Sequence, residues 1–97
     1  MDKPSFVYIL ASDRYGTLYI GVTSDLGKRV WQHRSAAVEG FTKQHHIRRL
    51  VWFETHADLR EAILREKQLK KWNRAWKVKL VSLSNPVWRD LYLDFTA

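Results

Sequence analysis

The chain reads as an α+β fold, a three-stranded antiparallel sheet flanked by helices in the order β-β-α-β-α-α. Three observations predict it. Residues 6–11 and 17–22 are rich in β-branched and aromatic side chains and are joined by a stretch with turn chemistry, the layout of an antiparallel hairpin. A third such run, 49–54, follows a helical segment, and beyond residue 58 apolar residues recur at helical spacing. The 97 residues, 45% hydrophobic and 13% aromatic, suffice for one core and one domain, 1–97, and exceed what a disordered chain carries.

Each element has local reasons. Phe6-Val7-Tyr8-Ile9-Leu10-Ala11 is a buried strand, and Ser12-Asp13-Arg14-Tyr15-Gly16 turns it. Thr17 to Val22 returns, and Gly21 within it predicts close backbone approach or a bulge. Thr23, Ser24 and Asp25 offer helix N-caps, and Leu26, Arg29, Val30 and His33 then share one helical face. Residues 35–48 show no clean period and read as a loop. After the third strand, Thr55 is the expected N-cap of the main helix, with Asp58 closing an approximate capping box. The stripe of that helix is Leu59, Ala62, Ile63, Leu69 and Trp72. A further helix spans about 75–83, and Asn85-Pro86 resembles an N-cap with proline at N1, opening a short turn through Trp88, Leu91 and Tyr92.

Composition narrows the function. The absence of cysteine excludes a disulfide scaffold and thiolate zinc sites. No apolar run reaches a signal h-region or a membrane span, so the expected compartment is the cytoplasm and no membrane partner is expected. The net charge is +7, and segments 27–49 and 60–79 carry the whole surplus. Patched basic charge on a small domain favours a polyanion partner, above all nucleic acid.

Several residues break the structural pattern. The main stripe needs an apolar residue at 66, and Glu66 stands there. A lone buried carboxylate is costly unless it is paired or holds a metal. The structural alternative is an ion pair with Lys70, four residues on. Arg29 and His33 lie one turn apart on the apolar side of their helix. Alternatively, Arg29 lays its stem on the core and His33 is a satisfied, half-buried side chain. Tyr8 and Tyr19 sit mid-strand, where core tyrosines are ordinary, and Asn85 has its capping explanation. Trp31, Trp72 and Trp76 lie among basic residues; core packing is the favoured explanation over stacking on unpaired nucleotides.

Together these residues resemble the GIY-YIG nuclease superfamily, in its small stand-alone bacterial form, over about residues 5–92. Tyr19-Ile20-Gly21 is the literal YIG half, and Phe6-Val7-Tyr8 stands where the family has Gly-Ile-Tyr, keeping the tyrosine. Arg29 and His33 match the family's arginine and the histidine or tyrosine four residues later. Glu66-Lys67-Gln68-Leu69-Lys70-Lys71 matches its Glu-x-x-Leu-x-Lys motif, and Asn85 its terminal asparagine.

The resemblance implies a metal-dependent DNA endonuclease, directed by structure or damage and acting in repair or recombination. Tyr8, Tyr19, Arg29, His33 and Glu66 would be its catalytic residues, with Gly21 and Asn85 in support. Glu66 would hold Mg²⁺ (or Mn²⁺), and Tyr8 is the favoured general base. Lys28, Lys67, Lys70, Lys71, Arg74 and Lys77 would bind phosphates without reading sequence. RNA in place of DNA, a protein partner that supplies specificity, and a non-catalytic nucleic-acid-binding module with the same fold are the alternatives.

Overall fold

The computed structural model describes residues 4–35 and 47–96. The elements are β1 (Ser5–Ala11), β2 (Leu18–Thr23), α1 (Leu26–Arg34), β3 (Arg49–His56), α2 (Leu59–Lys71), α3 (Arg74–Ser84) and a short α4 (Leu93–Thr96). The three strands form one antiparallel sheet of order β2-β1-β3, with β1 in the middle. The expected order β-β-α-β-α-α is therefore present, with α4 added beyond it. Residues 36–46 of the expected loop lie outside the described residues.

A central strand covered on both faces must be largely apolar, and β1 is from Phe6 to Ala11. Its Val7, Ile9 and Ala11 enter a core with Ala62 and Leu69 of α2, Val81 of α3 and Trp88. Its Tyr8 and Leu10 point to the other face, into a second core with Leu26 and Val30 of α1, Ile47 and Leu50. The sheet thus separates α1 from α2 and α3.

The register of β1 on β3 shifts between Ile9 and Leu10: Ile9 faces Trp52 while Leu10 faces Leu50. The extra residue, Val51, forms a bulge. It breaks the alternation, so that Val51 and Trp52, neighbours in the chain, both enter the first core.

Three local expectations are corrected. β3 runs on through Thr55 to His56, so Thr55 caps nothing; Asp58 is the N-cap of α2, and its Oδ1 accepts from the Glu61 amide at 2.9 Å. Asp58 is followed three residues on by Glu61, so the capping signal lies three positions further along the chain than expected. On α2, Leu59 is 50% and Ile63 37% exposed, because only the Ala62–Leu69 line faces the sheet. Asn85 ends α3 as its C-cap instead of opening a helix. It is buried, and its amide nitrogen donates to the carbonyls of Val51 (3.0 Å) and Arg89 (2.9 Å), while its Oδ1 accepts from the Arg89 amide (3.1 Å). Asn85 therefore pins the tail to the carbonyl that the β3 bulge turns outward.

The tail continues along β3. The Leu91 amide donates to the Leu50 carbonyl at 2.7 Å, and the Leu50 amide donates to Asp90 Oδ1 at 3.2 Å. Asp90 also pairs with Arg34 at the end of α1, which ties the helix carrying Arg29 and His33 to the sheet. No helix among the described residues is long and apolar enough to cross a membrane.

Candidate active site

The site forms on the α1 face of the sheet, where the hairpin meets α1. Tyr8 lies opposite Gly21 in the β1–β2 register, and its ring crosses the glycine: a Cβ at Gly21 would lie 2.4 Å from the Tyr8 hydroxyl and 2.5 Å from Cζ. Close backbone approach, one of the two expectations for Gly21, is what the hairpin shows, and the bulge lies in β3 instead. Any side chain at position 21 would push the phenol away.

Asp25 caps α1 by accepting from the Lys28 amide at 3.2 Å, and this sets the helix phase that turns Arg29 and His33 toward the sheet. His33 is buried, and its Nε2 lies 3.3 Å from the Tyr8 hydroxyl. The Tyr19 ring completes the cluster, with centroids 6.4 Å from Tyr8 and 5.4 Å from His33. The Arg29 guanidinium acts electrostatically on both phenols, and its Nη1 donates to Gln32 Oε1 at 3.2 Å. Gln32 escaped the sequence analysis. Its signal is the three-residue spacing from Arg29 on one helix, a common arrangement that marks no site on its own.

Glu66 enters from α2, on the opposite side of the sheet. Its side chain is 20% exposed and pairs with Lys70 Nζ at 3.3 Å, so the structural alternative for Glu66 is realised. Its carboxylate also acts on the Tyr8 phenol, whose ionisation it opposes, so it belongs to the same electrostatic environment. The structure thus brings Tyr8, Tyr19 and His33 together, with the charges of Arg29 and Glu66 reaching Tyr8.

Electrostatics distinguish the members. Burial pushes the Tyr8 phenol up to about 12; Arg29 pulls down, while Tyr19 and Glu66 push up. Burial and the Arg29 charge push the His33 imidazole down to about 4. His33 is therefore neutral at pH 7. Both shifts oppose transfer of a proton from Tyr8 to His33. Proton acceptance by His33, one way of helping Tyr8 to ionise, is thus not available in the resting site.

The depressed imidazole has a consequence for stability. Above pH 6.5 His33 is neutral folded and unfolded. As the pH falls from 6.5 through about 4, the unfolded chain takes a proton that the native site refuses, and stability is lost. Between pH 7 and 4.5 this costs about 2–3 kcal/mol. Urea unfolding at the two pH values should show that drop in the wild type and a smaller drop in His33→Gln; equal drops would contradict it.

The other expected positions are dispersed. Lys28 is exposed on α1, and Lys67, Lys70 and Lys71 are exposed on α2. Arg74 is exposed, and its Nη2 donates to the carbonyls of Tyr15 (2.6 Å) and Gly16 (2.9 Å), so it also braces the hairpin turn. Tyr15 holds a left-handed backbone there, φ 56°. Lys77 is half-buried on α3. Asn85 supports the sheet and tail, as described above. Trp31 and Trp76 are 55% and 57% exposed, against the expectation of core packing; Trp72 does pack against the core.

Among the described residues no cluster of three His, Asp or Glu side chains could cage a metal ion. Glu66 alone is a sparse set of hard oxygen donors, of the kind that leaves a hard cation most of its waters.

A hairpin with a tyrosine on each strand, a glycine beneath one of them, and an arginine on the next helix define a site of the GIY-YIG type. The model of the GIY-YIG catalytic domain matches residues 4–79, and the chain belongs to that family. Among bacterial relatives it is 36% identical over 81 residues to a UPF0213 protein of Staphylococcus epidermidis, covering 84% of this chain and 96% of that one. It is 30% identical over 92 residues to a UPF0213 protein of Desulfotalea psychrophila, covering 94% and 84%. The solution structure of a UPF0213 protein from Bacillus halodurans superposes with a TM-score of 0.53 at 32% identity, covering 84% of this chain and 86% of that one. The α+β fold read from the sequence is thus shared with a solved relative.

Proposed function

We propose that the protein is a metal-dependent endonuclease that hydrolyses phosphodiester bonds in DNA, selecting structure or damage and not base sequence, in repair or recombination. The observation that carries this is the packing of Tyr8, Tyr19 and His33 over Gly21, with the Arg29 and Glu66 charges reaching the same phenol.

Hydrolysis needs a deprotonated water in line with the leaving oxygen and positive charge around the phosphorane-like transition state. Arg29 supplies a guanidinium fork for a phosphate oxygen. Tyr8, as general base, must first give its own proton to bulk water, and as the phenolate it then takes the proton of the attacking water. Arg29 already favours the phenolate, and Tyr19 orients the water or the phosphate. Glu66 is the residue that would hold Mg²⁺ or Mn²⁺; a bound cation would neutralise phosphate charge and lower the pKa of nearby oxygens. His33 keeps the Tyr8 hydroxyl in place as a neutral hydrogen-bonding partner.

Gly21→Ala tests the geometry. The added methyl displaces the Tyr8 ring, and a misplacement of about 1 Å costs about 10²-fold in rate. Cleavage should fall at least that far, with about 1–3 kcal/mol of stability lost in urea unfolding. An alanine variant with full activity would show that the Tyr8 position is not critical. The reading is tested as a whole by cleavage of supercoiled and branched DNA with Mg²⁺ and with chelator. A non-catalytic module would bind in a salt-sensitive way and cut nothing.

A further inference from the structure

The corner between α2 and α3 carries an apolar groove of about 280 Å³, lined by Trp72, Trp76, Lys79, Leu80 and Leu83. That is just below the range of about 300–1,000 Å³ for small-molecule sites, so it suits a single ring system. Trp76 is 57% and Leu83 75% exposed, in a chain that buries Trp88 completely. Trp72 packs against the core, and the Arg65 guanidinium sits 5.4 Å from its ring centre. Trp76 meets that anchored ring edge to face, at 5.8 Å and 87°, and presents its indole to solvent.

The charge around the groove chooses its occupant. Lys79 lines it, and Lys67, Lys70 and Lys71 are exposed on the preceding helix. An aromatic platform among ammonium groups suits a chain that alternates planar rings with phosphates. A second copy of this chain would bring another +7 to the same corner and be repelled. A duplex keeps its base faces stacked on one another and offers none to an indole.

We propose that the Trp72–Trp76–Lys79 groove binds one unpaired base of a single-stranded nucleic-acid segment, stacked on Trp76, with a neighbouring phosphate on Lys79. This rests on the nucleic-acid reading above and adds a specificity element to it. Trp72 lies six positions beyond Glu66, about 9 Å along the α2 axis, so the groove opens at the C-terminal end of the helix that carries the carboxylate. The groove gives the protein a way to prefer frayed, looped or branched DNA over continuous duplex.

The test is equilibrium binding of the full chain, in chelator, to a labelled oligothymidine and to a duplex of equal length. Trp76→Ala should weaken oligothymidine binding by about 5- to 150-fold and leave duplex affinity within about twofold. Trp76→Phe, which keeps a ring, should retain most of the affinity, and this separates stacking from a folding defect. Lys79→Ala should reduce the salt slope of oligothymidine binding by about one. Equal losses on both ligands in Trp76→Ala, or none on either, would overturn the groove assignment. A self-association of the wild type that Trp76→Ala abolishes would overturn it too, by making a second copy the occupant. A wild type that binds neither ligand would overturn the nucleic-acid reading itself.

Discussion

Glu66→Gln is expected to reduce metal-dependent cleavage by at least about 10²-fold, the scale for loss of one electrostatic partner of the transition state, while DNA binding persists. The substitution keeps the size of the side chain and removes only its charge. The melting temperature should stay equal or rise, for two opposing reasons. The half-exposed Lys70 pair, 3.3 Å apart, contributes only about 0.3–0.5 kcal/mol. Against it, a carboxylate held on a helix face that otherwise packs on the sheet, between Ala62 and Leu69, is kept at a cost to stability. Cleavage and thermal unfolding on one preparation decide the matter. An active, slightly destabilised Glu66→Gln protein would reduce Glu66 to its Lys70 pair.

Arg29→Ala should lower cleavage by at least about 10²-fold with little change in DNA affinity. Two functions are lost together: the grip on a phosphate oxygen, and the cation that holds down the proton affinity of Tyr8. Arg29→Lys should also be poor, because one ammonium cannot grip a phosphate oxygen as a planar fork does. A second readout is independent of turnover. The Arg29 charge is one of the causes that depress His33, so the His33 pKa should move up from about 4 in Arg29→Ala, measured by imidazole proton shifts. An unmoved His33 together with unchanged turnover would place Arg29 outside the site.

Much of this arrangement was legible in the sequence because it depends on local rules. An apolar run such as Phe6–Ala11 is a buried strand wherever it lies, and a glycine within a strand announces close approach or a bulge; the register then sets Gly21 opposite Tyr8. The spacing of Arg29 and His33 fixed their shared face before any fold was known. What was not legible depends on tertiary contact. The tail is the clearest case: Asn85-Pro86 carries the local signature of a helix start, yet the outward Val51 carbonyl made by the β3 bulge recruits the Asn85 amide instead. No local pattern encodes that bulge. In the same way the α2 stripe was drawn too wide, because the sheet accepts only Ala62 and Leu69. Arg74 looked like one more surface cation, and only the fold shows the hairpin carbonyls that occupy it. The reduced role of His33 follows from its burial beside Arg29, which spacing reveals in part and magnitude only in three dimensions.

The most direct measurement is cleavage of a panel of supercoiled, branched, single-stranded and duplex DNA by the wild-type chain, with Mg²⁺ and with chelator. The expected result is nicking or cutting of supercoiled and branched substrates with Mg²⁺, none with chelator, and none by Glu66→Gln under either condition. Salt-sensitive binding to every substrate, with no cleavage in Mg²⁺ or Mn²⁺, would contradict it and make the cluster around Tyr8 the core of a nucleic-acid-binding module.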